Sequence, residues 1–219
     1  LRVHAITAAM PSGTGLDAFG ERFPARFHDT GITEQHALAM AAGMAKGGLR
    51  PIAAIYSTFL QRAYDQVFQE VLIQNLPVVF AMDRAGIVGE DGMTHNGLFD
   101  IAYLRALPNI VLMSPKDGPE LHEMLAFAAE LGRPCGLRYA RGGAPGAGDL
   151  PGWNGMRTAI ELGRMEILRP GRDGAILAYG AMVQTALEAA ELLAQKGVAV
   201  EVVNARFVKP IDEAAVRQA

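Results

Sequence analysis

Residues 84–98 hold four glycines together with Glu90, Asp91, Thr94, His95 and Asn96. Carboxylates, an imidazole and a hydroxyl on a glycine-rich stretch could bind a polar ligand and move a proton. The stretch lies between two segments that read as regular elements. A connection this long in a compact α/β domain is uncommon unless it binds something. A mobile surface loop is the alternative, and His95 taken singly reads more readily as a surface histidine. Arg84 opens the stretch, and Arg141 precedes Gly142 further along the chain. Two guanidinium forks brought together would suit a phosphate, which arginine grips with paired donors. Two ordinary surface salt bridges would use the same residues.

Glu34 raises a separate question. It stands near the start of "TEQHALAMAAGMAKG" (33–47), where small residues at 37, 39, 41, 42, 43 and 45 let neighbouring backbone approach closely. A buried helix is expected there. The helix dipole favours a charged carboxylate at an N-terminus, whereas burial favours the neutral form. Thr30 or Thr33 could cap the helix and leave Glu34 free for another task. By position alone, an ordinary helix-end carboxylate is the better reading. No G-x-x-x-x-G-K-[ST] loop occurs, and no G-x-G-x-x-G follows a strand. The five histidines (4, 28, 36, 95 and 122) lack metal-ligand spacing, so no protein-ligated metal is expected.

The elements that must position these groups follow from periodicity. "RPIAAIY" (50–56), "PVVFAMD" (77–83), "NIVLMS" (109–114) and "CGLRYA" (135–140) read as short buried strands. Between them, 33–47, 58–75 and 117–132 are long enough for helices, with stop signals at Gly47–Gly48 and Gly132. The alternation predicts an α/β fold, a parallel sheet covered by helices on both faces. Ligands of such sheets bind beyond the strand carboxyl ends, where Tyr56 to Arg62, Asp83 to Gly86 and Arg138 to Gly142 fall.

Bulk properties narrow the class. Half of the 219 residues are apolar and a fifth are charged, which suits a compact core. The net charge of −3 gives no general attraction to nucleic acid or an anionic membrane. No apolar run is long enough to span a bilayer, and no signal peptide is read at the N-terminus. The single cysteine, Cys135, is compatible with a reducing cytoplasm. "ARGGAPGAGDLPGWNG" (140–155) reads as a linker, after which 174–180, 181–197 and 198–205 form one further β-α-β unit. The expected division is 1–145 for the first domain, 146–160 for a linker and 161–219 for an incomplete, smaller α/β domain. A chain starting at "LRVHAI" and stopping at "AAVRQA" is expected to be a piece of a longer protein.

The run "TEQHALAMAAGMAKGGLRPIAAIYSTFLQRAYDQV", followed by "DRAGIVGEDGMTHNGLFD", closely resembles the 1-deoxy-D-xylulose-5-phosphate synthase family of thiamin-diphosphate enzymes, relatives of transketolase. The likeness continues through "SPKDGPEL", "LRYARG" and "GAILAYG", and thus over nearly the whole chain. It implies a three-layer pyrimidine-binding domain followed by the start of the transketolase C-terminal domain. The implied reaction joins pyruvate, with loss of CO₂, to D-glyceraldehyde 3-phosphate, giving 1-deoxy-D-xylulose 5-phosphate for isoprenoid, thiamin and pyridoxal synthesis. The resemblance implies that Glu34 bonds N1′ of the cofactor aminopyrimidine and that Phe59 stacks on that ring. By the same likeness Tyr56 lines the pocket near the substrate, Arg84 and Arg141 hold the acceptor phosphate, and Asp91 and His95 handle substrate and proton transfer. Arg62, in the same motif, orders these groups in the cofactor site. The G-D-G motif that holds diphosphate and Mg²⁺ in the superfamily is absent, so those ligands are expected on an N-terminal domain outside this chain, and the chain alone is expected to be inactive. A cytoplasmic homodimer is expected. Transketolase itself and the β subunit of a 2-oxoacid dehydrogenase share this kind of domain, and a detached scaffold or regulatory domain is the non-enzymatic alternative.

Overall fold

The computed structural model describes residues 3–146 and 148–218. The chain forms two compact units. The first comprises residues up to Leu112 together with Ala126–Arg141, and the second comprises Met113–Leu125 together with Gly142 onward.

In the first unit, β1 (Val3–Thr7), α1 (Asp17–Arg22) and β2 (Phe27–Asp29) precede α2 (Glu34–Lys46) and β3 (Arg50–Tyr56). Helix α3 (Ser57–Leu60), β4 (Val79–Asp83), α4 (Asp100–Ala106) and β5 (Val111–Met113) follow. Strand β5 and helix α5 (Gly118–Glu130) have residues in both units, and β6 (Cys135–Arg138) completes the first. The strand order in this unit is β5-β6-β4-β3-β1-β2. The pairs β1–β2, β1–β3, β3–β4 and β4–β6 are all parallel. Register sets Tyr56 opposite Asp83 and Met82 opposite Arg138, so the carboxyl ends of β3, β4 and β6 lie side by side. Apolar runs form these central strands because both faces are covered, and all five residues of β4 are buried.

The helix that carries Glu34 is built from strong helix formers and stops at Gly48. Gly48 has φ +85°, and its N–H donates to Ala45 O while Leu49 N–H donates to Met44 O, which closes the last turn. Burial follows one stripe (Glu34, Ala37, Leu38, Ala41, Ala42 and Ala45), while Ala39 and Gly43 are exposed. The small residues therefore serve one buried face and not all faces. Neither threonine caps the helix through its side chain: Thr33 is the N-cap residue, but its hydroxyl donates to Thr30 O (2.6 Å) and that of Thr30 to Thr7 O (3.3 Å).

Two short strands, β1 and β2, and helices α1 and α4 are additions to the elements expected from periodicity in this unit. The single helix expected over 58–75 is instead a succession of turns: α3, a 3₁₀ turn at Gln61–Ala63, an α turn at Tyr64–Gln66 and a π turn at Val67–Leu72. No proline or glycine lies in that stretch. The break is at Ala63, whose φ of −109° and ψ of 23° leave the helical region, and Leu60, Ala63, Val67 and Val71 are all buried along the path.

In the second unit, β7 (Glu166–Arg169), β8 (Ala175–Ala178), α6 (Met182–Ala194) and β9 (Glu201–Asn204) are followed by β10 (Phe207–Lys209) and α7 (Glu213–Gln218). Strand β9 pairs parallel with β8, as a β-α-β unit requires, and antiparallel with β7, which periodicity did not indicate. Trp153, Leu168, Val183, Leu187 and Val202 lie in its core. Beside that core, Lys116 and Arg206 meet Glu120 and Glu166, and all four side chains are at most 1% exposed.

Candidate active site

The residues after β3, β4 and β6 converge in the first unit, and the contacts between them are continuous. At the end of β3 the backbone of Tyr56 (φ −58°, ψ 138°) turns directly into α3. This turn sets the Tyr56 and Phe59 rings in a stack, with centroids 5.5 Å apart and planes 12° from parallel. The Arg62 guanidinium lies 4.9 Å from the Phe59 centroid. On the other ring, the Arg84 guanidinium lies 3.9 Å from the Tyr56 centroid. His95 meets Phe59 edge-on at 5.2 Å and Tyr56 at 6.4 Å, while its Nδ1 pairs with Thr94 Oγ1 at 3.0 Å.

One end of this column is acidic and buried. Glu34 is 2% exposed, and its Oε1 accepts a hydrogen bond from Arg62 Nη1 at 2.6 Å. Its Oε2 is buried and has no hydrogen-bond partner among the described residues. Such an atom normally finds a partner, since burial without one costs about 1–3 kcal/mol.

The other end is a cluster of arginines and carboxylates. Arg84 takes a left-handed backbone (φ +57°), an uncommon conformation for a side chain of its size. Its Nε donates to Asp91 Oδ2 (2.8 Å), and its Nη1 donates to Asp83 Oδ2 (2.8 Å) and Gly13 O (3.1 Å). Arg141 Nε lies 3.0 Å from the same Asp91 oxygen. The two guanidinium forks thus meet on a single carboxylate. The hydrogen bond from Arg84 holds the Asp91 carboxyl below its ordinary value. Burial raises that of Asp83 despite the Arg84 N–H and guanidinium beside it. Burial also raises the Tyr56 phenol, against the opposing charge of Arg84. Burial alone would lower the Arg84 guanidinium, but its bond to Asp91 and the charge of Asp83 leave it raised.

The loop that delivers Asp91 and His95 is tied at its base. Gly86 N–H donates to Gly97 O (2.8 Å) and Gly97 N–H to Gly86 O (2.9 Å), while Val88 N–H donates to Asn96 Oδ1 (2.9 Å). A Cβ on Gly97 would lie 2.4 Å from Ser57 Oγ and 2.5 Å from Arg84 O, so only glycine fits there. All eight residues singled out in the sequence (Glu34, Tyr56, Phe59, Arg62, Arg84, Asp91, His95 and Arg141) belong to this one set of contacts. Asp83, Gly13 and Gly97 join them without having been assigned a role. Asp83 ends a predicted strand and Gly97 belongs to the glycine-rich stretch, so both could have been found by position, whereas Gly13 carries no local signal. Arg138 is held elsewhere, its Nε donating to Asp100 Oδ2 at 2.8 Å. Among the described residues, no three His, Cys, Asp or Glu side chains are grouped to hold a metal ion.

The sequence profile of the transketolase pyrimidine-binding domain matches residues 1–145, and that of the transketolase C-terminal domain matches 163–219. The chain belongs to the transketolase family. Among curated transketolase-type relatives, 1-deoxy-D-xylulose-5-phosphate synthase of Thermomicrobium roseum is 58% identical, over all of this chain and 34% of the relative. The protein of the same name from Desulforudis audaxviator is 56% identical over 97% of this chain and 33% of its own length. The chain therefore spans about a third of the length of these relatives. Among solved structures, a split-gene transketolase described as an inactive β4 tetramer has a TM-score of 0.86 and 30% identity, covering 99% of this chain and 69% of that one. A transketolase mutant from Pichia stipitis, with a TM-score of 0.83 and 23% identity, covers 97% of this chain and 33% of its own and shows the shared fold.

Proposed function

We propose that this chain supplies the pyrimidine-binding half of a thiamin-diphosphate-dependent 1-deoxy-D-xylulose-5-phosphate synthase. The observation that carries the cofactor assignment is the buried Oε2 of Glu34, an oxygen that meets no hydrogen-bond partner among the described residues. The identity to named synthases over the whole chain supports the substrates, pyruvate and D-glyceraldehyde 3-phosphate. When bound, thiamin diphosphate supplies the nucleophilic carbon and the electron sink for decarboxylating pyruvate and joining the remaining two carbons to the aldehyde.

Glu34 Oε2 is read as the partner of the aminopyrimidine N1′, sharing a proton with it, and Phe59 as the ring's aromatic neighbour. Tyr56, whose phenol is raised by burial, is read as lining the pocket near the substrate. Arg84 and Arg141 are read as the grip on the acceptor phosphate, which must compete with Asp91 Oδ2 for both guanidinium groups. His95 and Asp91 stand where substrate is oriented and protons are moved. Residues 1–145 are read as the pyrimidine-binding domain, 146–160 as linker and 161–219 as an incomplete C-terminal domain. Ligands for Mg²⁺ and the diphosphate are assigned to residues outside this chain. A cytoplasmic homodimer completes the reading, and sedimentation of the full-length protein tests the dimer.

The deciding experiment is Glu34→Ala in the full-length protein, with product formation from pyruvate and glyceraldehyde 3-phosphate followed directly. A loss of about 10²–10⁴-fold is expected for removing a group that manages a proton. A rate near that of the parent enzyme would overturn the assignment. Product identity separates this reading from a transketolase or a 2-oxoacid dehydrogenase subunit.

A further inference from the structure

Arg62 is half exposed, yet it ends on a carboxylate that is 2% exposed. Such a pair is unlike an ordinary surface salt bridge, in which both partners stay solvated and contribute little. Three contacts define the arrangement. Arg62 Nη1 donates to Glu34 Oε1 at 2.6 Å. The same guanidinium lies 4.9 Å from the Phe59 ring centroid. Oε2, the second oxygen of Glu34, has no hydrogen-bond partner among the described residues. Arg62 reaches this position from the 3₁₀ turn Gln61–Ala63, just before the helix breaks at Ala63.

A carboxylate on a flexible side chain can present either oxygen to a ligand, and can turn about its terminal bond. A charge-assisted hydrogen bond to one oxygen removes that freedom. The planar guanidinium can lie against the ring and donate along its own plane together, whereas an ammonium acts as a point charge. We infer that Arg62 is a positioning residue that locks Oε1 of Glu34 against the Phe59 platform, leaving Oε2 as the single oxygen offered to the cofactor ring. This rests on the cofactor reading proposed above.

The test uses the full-length enzyme and measures affinity for thiamin diphosphate and for an analogue in which N1′ is replaced by carbon. Arg62→Met is expected to weaken binding of the natural cofactor about 10- to 100-fold, as for a lost hydrogen bond to a charged group. Binding of the carbon analogue should stay within about twofold, and Arg62→Lys should recover part of the loss because it keeps the charge. In a Glu34→Gln background, Arg62→Met should add little, since both changes act through the same contact. Equal weakening of both ligands by Arg62→Met, or multiplicative effects of the two substitutions, would overturn the inference. If Arg62→Met does not fold, Arg62→Lys carries the test: it should weaken the natural cofactor more than the analogue, and equal effects would sink the idea. If Glu34→Gln itself fails to distinguish cofactor from analogue, the cofactor reading falls. If it does distinguish them while Arg62→Met does not, only the role of Arg62 falls.

Discussion

Asp91 shows how much a single side chain can decide in this site. One of its oxygens bridges two arginines that lie far apart in sequence, at 84 and 141. A phosphate bound there would exchange with this carboxylate and gain the bidentate geometry that one oxygen cannot offer. In the full-length enzyme, Arg84→Met is therefore expected to raise the KM for glyceraldehyde 3-phosphate about 10- to 100-fold, the range for a lost charged hydrogen bond. The KM for pyruvate should change far less, and equal changes in both would refute a phosphate-specific role. Legibility at this scale was uneven. The types of Arg84, Asp91, His95 and Arg141 pointed to ligand chemistry. Their mutual contacts did not show, because they depend on the path of the 84–98 loop and on β6 lying beside β4.

At the scale of elements, glycine positions control the loop of residues 84–98. Gly97 pairs with Gly86 and packs its Cα against Ser57 and the Arg84 carbonyl. Gly97→Ala should force the loop base apart, because one of the clashing atoms is backbone and cannot rotate away. The expected result is a higher KM for glyceraldehyde 3-phosphate with a folded protein, checked by steady-state kinetics beside thermal unfolding. Helix α2 depends on its buried stripe in a different way. Leu38 is fully buried, and Leu38→Ala should cost about 2–5 kcal/mol of stability, read from denaturant unfolding. Strands such as β3 and β4 were legible because apolar, β-branched runs flanked by turn residues are local signals. The strands β1, β2, β7 and β10 were not. In β1 and β2, the backbone groups of VHAIT and FHD are satisfied by neighbours such as the Ala5 and Phe27 pair, and that pairing is non-local.

At the scale of the whole molecule, the second unit is organised around buried charge. Arg206 donates to Glu120 Oε1 (2.8 Å), Thr158 Oγ1 (3.0 Å) and Ala159 O (3.1 Å), while Lys116 Nζ reaches Glu120 and Glu166. Removing one member strands the rest, so Arg206→Met should cost about 3–5 kcal/mol. Burial would raise the Glu166 carboxyl, but its bonds to Lys116 and Thr158 outweigh burial and leave it lowered. For a carboxyl lowered on folding, the stabilisation is present above its unfolded value and is lost as pH falls through the folded value. Unfolding measured from neutral pH downward should show this unit weakening below the ordinary carboxylate range. Glu166→Gln should start less stable and lose less with acid, and an unchanged pH slope would contradict the assignment. The chain also covers about a third of its relatives, one reason to expect no steady turnover from the 219 residues alone. Sustained product from pyruvate and glyceraldehyde 3-phosphate with this chain would refute that.

The sequence by itself determined the α/β alternation, the placing of polar residues after strands, and the likeness to thiamin-diphosphate enzymes. Each of these is written in local periodicity, in residue type or in contiguous motif. Tertiary structure alone decided that Arg62 ends on Glu34, that Asp91 bridges Arg84 and Arg141, and that Lys116 joins Glu166 fifty residues away. The physical reason is that a side-chain contact depends on strand order, on register and on the path of the connecting loops. None of these is fixed by the residues nearest in sequence. Glu34 stands on both sides of that division: its helix could be read from the chain, and its free oxygen could be seen only in the fold.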